Sequence, residues 1–266
     1  MSGKDFNFGK NWMSYVNTVN KEKINGAVSS PQKALDMESL KGKTFIDAGC
    51  GSGLFSLAAI MLGADKVHSF DYSAESVRAS QFLRKEYAEN SKNWIIEQGS
   101  VLDGNYLAGL SKFDIVYSWG VLHHTGNMWK ALESVITLAK ENALVFVAIY
   151  NDQGGASRRW KKIKALYNKL PGIFQKLLVL MIMLPFELKY MLIGAVKGKP
   201  FYRFKQKGER GMNIYHDWVD WVGGYPFEVA KPEEIFNFFR KRDFQLQYLK
   251  TVGGGYGNNE YVFMKT

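Results

Sequence analysis

The sequence predicts an α/β fold: a mostly parallel sheet interrupted late in the chain by a helical insertion. Three observations predict it. Short apolar runs alternate with helix-like segments from Lys43 onward, the rhythm stops after Tyr150, and it resumes near Lys231 with one helix and two final strands. At 266 residues, 46% apolar and 23% charged, the chain has enough apolar side chains for a large core.

The strands come first. "TFIDAG" (44–49), "KVHSFD" (66–71), "WIIEQG" (94–99), "FDIVYS" (113–118) and "ALVFVAIY" (143–150) are short, apolar and rich in β-branched or aromatic residues, as buried parallel strands are. Between them, "LFSLAAIMLG" (54–63), "SAESVRASQFLRKEYAE" (73–89) and "NMWKALESVITLAK" (127–140) have helical periodicity, the second with Ser73 as its N-cap. After the break, "KPEEIFNFFRKRDF" starts a helix with Pro232 in its first turn, followed by "QLQYLKTV" (245–252) and "EYVFMKT" (260–266). The connector "GGGYGNN" is too short for a parallel crossover, so these last two strands pair antiparallel. The predicted organisation is a helical cap over 1–42, a core over 43–150, an insertion over 151–230 and the end of the core over 231–266.

Composition narrows the chemistry. One cysteine, Cys50, excludes an internal disulfide framework, and no Cys/His cluster has zinc-ligand spacing, so no metal is expected. A reducing, cytoplasmic setting follows as an expectation, as does the absence of export, since "MSGKDFNFGKNW" lacks an apolar signal stretch. The net charge of +10 fits an acidic partner, a membrane surface or plain solubility.

The segment "KTFIDAGCGSGLFS" carries the strongest functional signal. Gly49, Gly51 and Gly53 follow a strand and precede a helix, where the backbone turns tightly and amides point at a ligand. The spacing is G-x-G-x-G, not the G-x-G-x-x-G of a dinucleotide loop, and Asp47 just before it would repel a pyrophosphate while suiting a cationic ligand. Asp71 ends the next strand, where a carboxylate accepts the hydroxyls of a ribose. A tight turn and a helix cap are the plain structural readings of the same residues. "EQGSVLD" places Ser100, Val101 and Leu102 at the third strand end, with amides and an apolar wall for an adenine.

With "FIDAGCGSG", "FDYS", "GSVLD" and "FDIVYSWGVLHHTGNMWKAL" in hand, the chain resembles the class I S-adenosylmethionine-dependent methyltransferases. The resemblance covers Lys43–Tyr150 well and Lys231–Thr266 by topology. It implies a Rossmann-like seven-stranded sheet with an antiparallel last strand, S-adenosyl-L-methionine as cofactor, and a cofactor site of Trp12, Asp47, Gly49, Gly51, Gly53, Asp71, Tyr72, Ser100, Val101, Leu102 and Trp119. Many relatives have Asp where Ser100 stands, which leaves the adenine amino group to Asp103 or to backbone. By the same resemblance His123 is favoured as the base for a hydroxyl acceptor, with His124 as the second catalytic candidate; two successive residues cannot point the same way, so one lines the acceptor pocket while the other packs or hydrogen-bonds the backbone. Trp12 and Tyr15, three apart on an N-terminal helix, are placed over the sulfonium, Tyr15 as a third catalytic candidate; packing on the sheet edge is the alternative.

Tyr150, Asn151, His216, Trp221, Tyr225 and Asn259 are the candidate acceptor contacts, with packing aromatics as the competing reading. The insertion "SRRWKKIKALYNKLPGIFQKLLVLMIMLPFELKYMLIGAVKGKPFYRFKQKGER" reads as a helical lid, or else as an interfacial element between basic anchors. Its longest uncharged run, Leu177–Phe186, is short for a membrane span. The expected activity is methylation of a small molecule, most readily at a hydroxyl. The alternatives are a membrane-surface enzyme acting on a quinone or lipid-linked sugar, with peripheral contact to anionic lipid, an RNA methyltransferase, and a non-catalytic cofactor-binding regulator. No nucleic-acid partner is expected, because the basic residues alternate with long apolar runs and no RNA-binding module is evident.

Overall fold

The computed structural model describes Phe6, residues 8–196, Gly198 and residues 214–266, with backbone alone at 10 and 214–217. The chain divides into two compact units, one formed by residues 8–154 and 227–266, the other by residues 1–7 and 155–226.

The larger unit holds the sheet. Its strands are β1 (Thr44–Ala48), β2 (Lys66–Asp71), β3 (Trp94–Gln98), β4 (Phe113–Trp119), β5 (Ala139–Tyr150), β6 (Phe244–Lys250) and β7 (Asn258–Lys265), in spatial order β3-β2-β1-β4-β5-β7-β6. β1 to β5 run parallel, and β7 pairs antiparallel with both β5 and β6. The seven-stranded mixed sheet is therefore the one expected. Strand order reverses between β1 and β4, which opens a crevice at their carboxyl ends. Phe45, Ile46, Val116, Val145 and Phe263 are among the strand side chains removed from solvent, and Tyr117 stacks on Phe146 at 4.7 Å.

Helices α1 (Phe8–Val16), α2 (Lys21–Leu35), α3 (Leu54–Met61), α4 (Ala74–Tyr87), α5 (Gly104–Ala108) and α6 (Met128–Ile136) belong to this unit. The two N-terminal helices therefore join the sheet unit. Ser73 caps α4 as expected, accepting from the Ser76 amide at 3.3 Å. The helix expected over 127–140 is shorter. It stops at Ile136, because the Leu138 carbonyl accepts from the Phe113 amide at 2.8 Å and Ala139 already pairs with Phe113, so β5 begins four residues before the expected Ala143.

The smaller unit is helical: α7 (Gly155–Lys169), α8 (Gly172–Val196) and α9 (Ile214–Gly223). Trp160 of α7 meets Trp221 of α9 edge-on at 5.8 Å, and Asn168 Nδ2 donates to the Gly223 carbonyl at 2.7 Å. Buried Lys164 donates from Nζ to the Trp221 carbonyl at 2.5 Å. α8 runs unbroken for 25 residues through Pro185, so the short uncharged run understated its length; by length and composition alone it could cross a membrane. The larger unit closes with α10 (Pro232–Arg240), where Glu234 reaches back to the Lys231 amide at 2.8 Å.

Candidate active site

Both oxygens of Asp71 hold backbone amides: Oδ2 accepts from Gly51 at 3.0 Å and Oδ1 from Ser73 at 2.8 Å. The acid thus ties the glycine loop to the start of α4. Each oxygen keeps a further lone pair, which is what a ribose diol needs. Burial pushes the Asp71 carboxyl above the usual range, opposed by the two amides.

Asp47, at the end of β1, is only 3% exposed. Behind it runs a buried relay: Trp94 Nε1 donates to Ser69 Oγ at 2.7 Å, Ser69 Oγ to Ser56 Oγ at 2.7 Å, and Ser56 Oγ to Asp47 Oδ2 at 2.6 Å. The relay fixes the carboxylate. Burial pushes Asp47 up to about 7, with the charge of Asp71 adding to that and the Ser56 bond opposing it. A buried acid whose proton affinity is raised by burial and by a second acid forms a site where a positive group is welcome. The Cys50 thiol between them is driven well up by burial and both charges, so it stays neutral.

The loop has no room for side chains. Gly51 sits at φ +55°, and a Cβ there would lie 2.9 Å from the Trp12 ring; at Gly49, φ +82°, it would lie 2.3 Å from Val121. Gly53, φ +79°, completes the turn and caps α3. Trp12 therefore lies directly on the loop. α1 crosses the carboxyl edge of the sheet, since Gly9 abuts Ser73 after β2 and Phe8 packs on His124 after β4, with ring centroids 4.7 Å apart. Tyr15, one turn on, is buried, with the Trp12 edge at 5.7 Å and the Lys23 ammonium 4.9 Å over its ring. The ring expected to meet a sulfonium meets the Lys23 ammonium, between α1 and α2.

At the third strand end Ser100 Oγ accepts from the Leu102 amide at 3.1 Å, Val101 turns into the core, and Leu102 is half-buried. Asp103 caps α5 with Oδ1, accepting from Asn105 and Tyr106 at 3.0 and 3.1 Å. Tyr72, next to Asp71, is 78% exposed, an aromatic face beside that carboxylate. Trp119 Nε1 donates to Glu260 Oε1 at 3.3 Å, and its ring lies 6.2 Å from Phe55.

The two histidines part company within one 3₁₀ turn, Leu122–His124. His123 is fully buried, and its Nδ1 accepts from the Tyr150 amide at 3.3 Å, so in the neutral ring the proton sits on Nε2. Its carbonyl accepts from the Glu228 amide at 2.9 Å, and its ring packs 3.9 Å from Tyr150. The residue expected as the base is thus a buried ring whose Nδ1 is engaged by the Tyr150 amide. His124 is partly exposed, between Phe8 and the edge of Tyr150 at 5.4 Å.

Asn151 and Asn259, expected as acceptor contacts, bond to each other and to the connector between β6 and β7. Asn151 Nδ2 donates to the Gly253 carbonyl at 2.9 Å, and its Oδ1 accepts from Asn259 Nδ2 at 3.1 Å; Asn259 Oδ1 accepts from the Val252 amide at 3.0 Å. The amides clamp the glycine connector between β6 and β7. Tyr150 packs between His123 and Phe227. Trp221 and Tyr225 belong to the helical unit, Trp221 against Trp160 and Tyr225 accepting from the Phe6 amide at 3.0 Å. Of His216 only the backbone, in α9, is described, so its expected role falls outside the described side chains.

Sequence reading missed Ser56, Ser69 and Trp94 behind Asp47, Val121 against Gly49, Phe8 against His124, and Glu228, whose Oε2 accepts from the Met128 amide at 3.0 Å. The serines left one signal: small polar residues inside apolar runs, "LFSLAAI" and "VHSFD". The assembled donor set fits a ligand with a ribose at one end and a positive charge near Asp47.

A family model described as a methyltransferase domain matches residues 39–206. The ubiquinone biosynthesis O-methyltransferase of Glaesserella parasuis is 32% identical over 116 residues, 42% of this chain and 47% of that protein. The ribosomal protein L11 methyltransferase of Photobacterium profundum is 49% identical over 47 residues, 18% of this chain and 16% of that protein. The matches thus span less than half of these curated relatives. Among solved structures, magnesium protoporphyrin IX methyltransferase from Synechocystis PCC 6803 with bound SAH aligns with TM-score 0.53 and 15% identity over 100% of this chain and 90% of that one. A SAM-dependent methyltransferase from Aquifex aeolicus aligns with TM-score 0.51 and 14% identity over 96% and 98%. At these identities the likeness is one of fold.

Proposed function

Since the chain belongs to the S-adenosylmethionine-dependent methyltransferases, we propose that it methylates a hydroxyl group of a small-molecule acceptor, with His124 as the base. One observation carries the choice of residue: of the two histidines after β4, only His124 is partly exposed, next to the helix that crosses the glycine loop.

When bound, the cofactor supplies a sulfonium methyl, so that the acceptor oxygen forms the new O–C bond while the C–S bond breaks and leaves its electron pair on sulfur. Asp71 takes the ribose hydroxyls on its remaining lone pairs. Asp47, held by Ser56, faces the positive end. Trp12 covers the loop and helps to exclude water from it. His124 accepts the hydroxyl proton as the oxygen loses electron density, and no metal-binding group of His, Cys, Asp or Glu occurs among the described residues. Oxygen as acceptor atom is further supported by the relative named as a ubiquinone biosynthesis O-methyltransferase.

The test is incubation of the purified protein with methyl-labelled cofactor and a cell extract, followed by mass spectrometry of labelled products. A methyl ether, lost with His124→Ala while cofactor affinity is kept, is the expected result. Label on nitrogen or carbon, or transfer unaffected by His124→Ala, overturns the reading.

A further inference from the structure

α8 exposes a long apolar face that the described residues of its own unit do not cover. Its inward stripe is Val179, Met183 and Glu187, spaced four apart and buried, where α8 packs against α7 and α9. On the opposite side Phe174, Leu177, Met181, Leu184, Leu188 and Leu192 recur every three or four residues, which is one continuous helical face. Each of these is between 47% and 70% exposed. Only 17% of the most apolar 18-residue stretch of this helix is buried. The one acid of the helix, Glu187, is turned inward; Lys176, exposed near the helix start, continues the inward line, and Lys189 lies beside the exposed stripe.

The neighbouring α7 adds charge. Arg158, Arg159, Lys161, Lys162 and Lys169 are exposed, and the helix has no acidic residue. An aliphatic stripe beside a purely basic helix is the pattern of an element that lies in a membrane interface, with apolar side chains in the acyl boundary and cations among anionic headgroups. We propose that α8 docks this enzyme on the surface of an anionic bilayer.

The orientation follows from the inward stripe. A spanning helix is surrounded by lipid, whereas α8 keeps one face on helices that carry buried Lys164 and Asp220, so it lies along the surface. A second copy of the chain is the competing occupant, but it brings the same positive charge to the contact, whereas an anionic bilayer neutralises it. The consequence for substrate rests on the proposed O-methylation: the acceptor class becomes a hydroxyl-bearing amphiphile held in the membrane.

The experiment needs no acceptor and so stands apart from the catalytic reading. The full chain is sedimented with vesicles of 7:3 phosphatidylcholine to phosphatidylglycerol and with phosphatidylcholine alone, at low and high salt. The wild type is expected to partition at least ~10-fold better onto anionic vesicles and to lose most of that at high salt. Met181→Gln/Leu184→Gln/Leu188→Gln, all on the exposed face, is expected to lose binding at least ~10-fold while melting temperature and cofactor affinity stay unchanged. Lys161→Glu/Lys162→Glu is expected to weaken anionic binding alone. Vesicle binding unchanged by the triple variant removes α8 as the docking element. A wild type that ignores vesicles and is a dimer, with the triple variant monomeric, assigns the stripe to a second copy; a wild type that ignores vesicles as a monomer also overturns the proposal.

Discussion

Asp47 makes a quantitative prediction about cofactor binding. Its carboxyl lies at about 7 because it is buried near the charge of Asp71, and a cationic ligand beside it restores the ionised form. Binding must then release a proton wherever Asp47 is still protonated in the free protein. If the bound state returns Asp47 to an ordinary carboxylate value of ~4, apparent affinity at pH 6 is ~10-fold below its plateau, with ~0.9 proton released per cofactor, and at pH 7.5 the deficit is under ~2-fold. Titration calorimetry between pH 5.5 and 7.5, in buffers of different ionisation heat, reads both quantities. Asp47→Asn should weaken binding at neutral pH and flatten the profile. Ser56→Ala removes a hydrogen bond that favours the anion and should move the inflection up by roughly half a unit to one unit, as a bond worth ~1 kcal/mol does. A wild-type affinity independent of pH over this range refutes the reasoning. So does a profile that survives Asp47→Asn, which transfers the titration to Asp71.

Four further outcomes follow from the geometry. Asp71→Ala should weaken cofactor affinity more than ~10-fold and, because the same oxygens hold Gly51 and Ser73, also cost on the order of 2 kcal/mol of stability, read by calorimetry and chemical denaturation. His124→Ala should lower turnover by ~100-fold or more at unchanged melting temperature, whereas His123→Ala should lower the melting temperature by opening a cavity against Tyr150; the opposite pattern restores His123 as base. Asn259→Ala should cost about 1–3 kcal/mol and increase amide exchange over 252–257, with turnover per folded molecule little changed. Burial holds the Lys164 ammonium down at about 7, so the folded helical unit binds fewer protons than the unfolded chain between about pH 7 and the ordinary lysine value of ~10.4; stability should rise with pH across that window, and Lys164→Met should flatten the rise.

The sheet was legible because its signals are local and agree with one another. Apolar runs, strand-end acids and the glycine turn all lie within a few residues of the feature they specify, and the short connector at 253–259 forced the antiparallel end. The helix at 128–136 was overrun because periodicity continued through Leu138 and Ala139, whereas the pairing of Ala139 with Phe113 is a contact across the sheet that no local pattern encodes. The buried relay behind Asp47 was missed for the same reason: Ser56, Ser69 and Trp94 come from three different elements.

The histidine pair shows where local reading stops. "LHH" after a strand says that two imidazoles stand at the carboxyl edge and that they diverge, but it does not say which one faces inward. That choice is made by Tyr150, 27 residues on, whose backbone amide is a strand-end donor left over where β5 finishes and which Nδ1 of His123 satisfies. Glu228 then fixes the same turn from the other side through the His123 carbonyl, while its carboxylate serves the uncapped amide of Met128. Once His123 is held by both, the next residue is turned outward toward Phe8 of α1. A residue that supports the turn and the one proposed to meet the acceptor are thus adjacent in sequence and alike in type, and only backbone bonds from distant segments separate them.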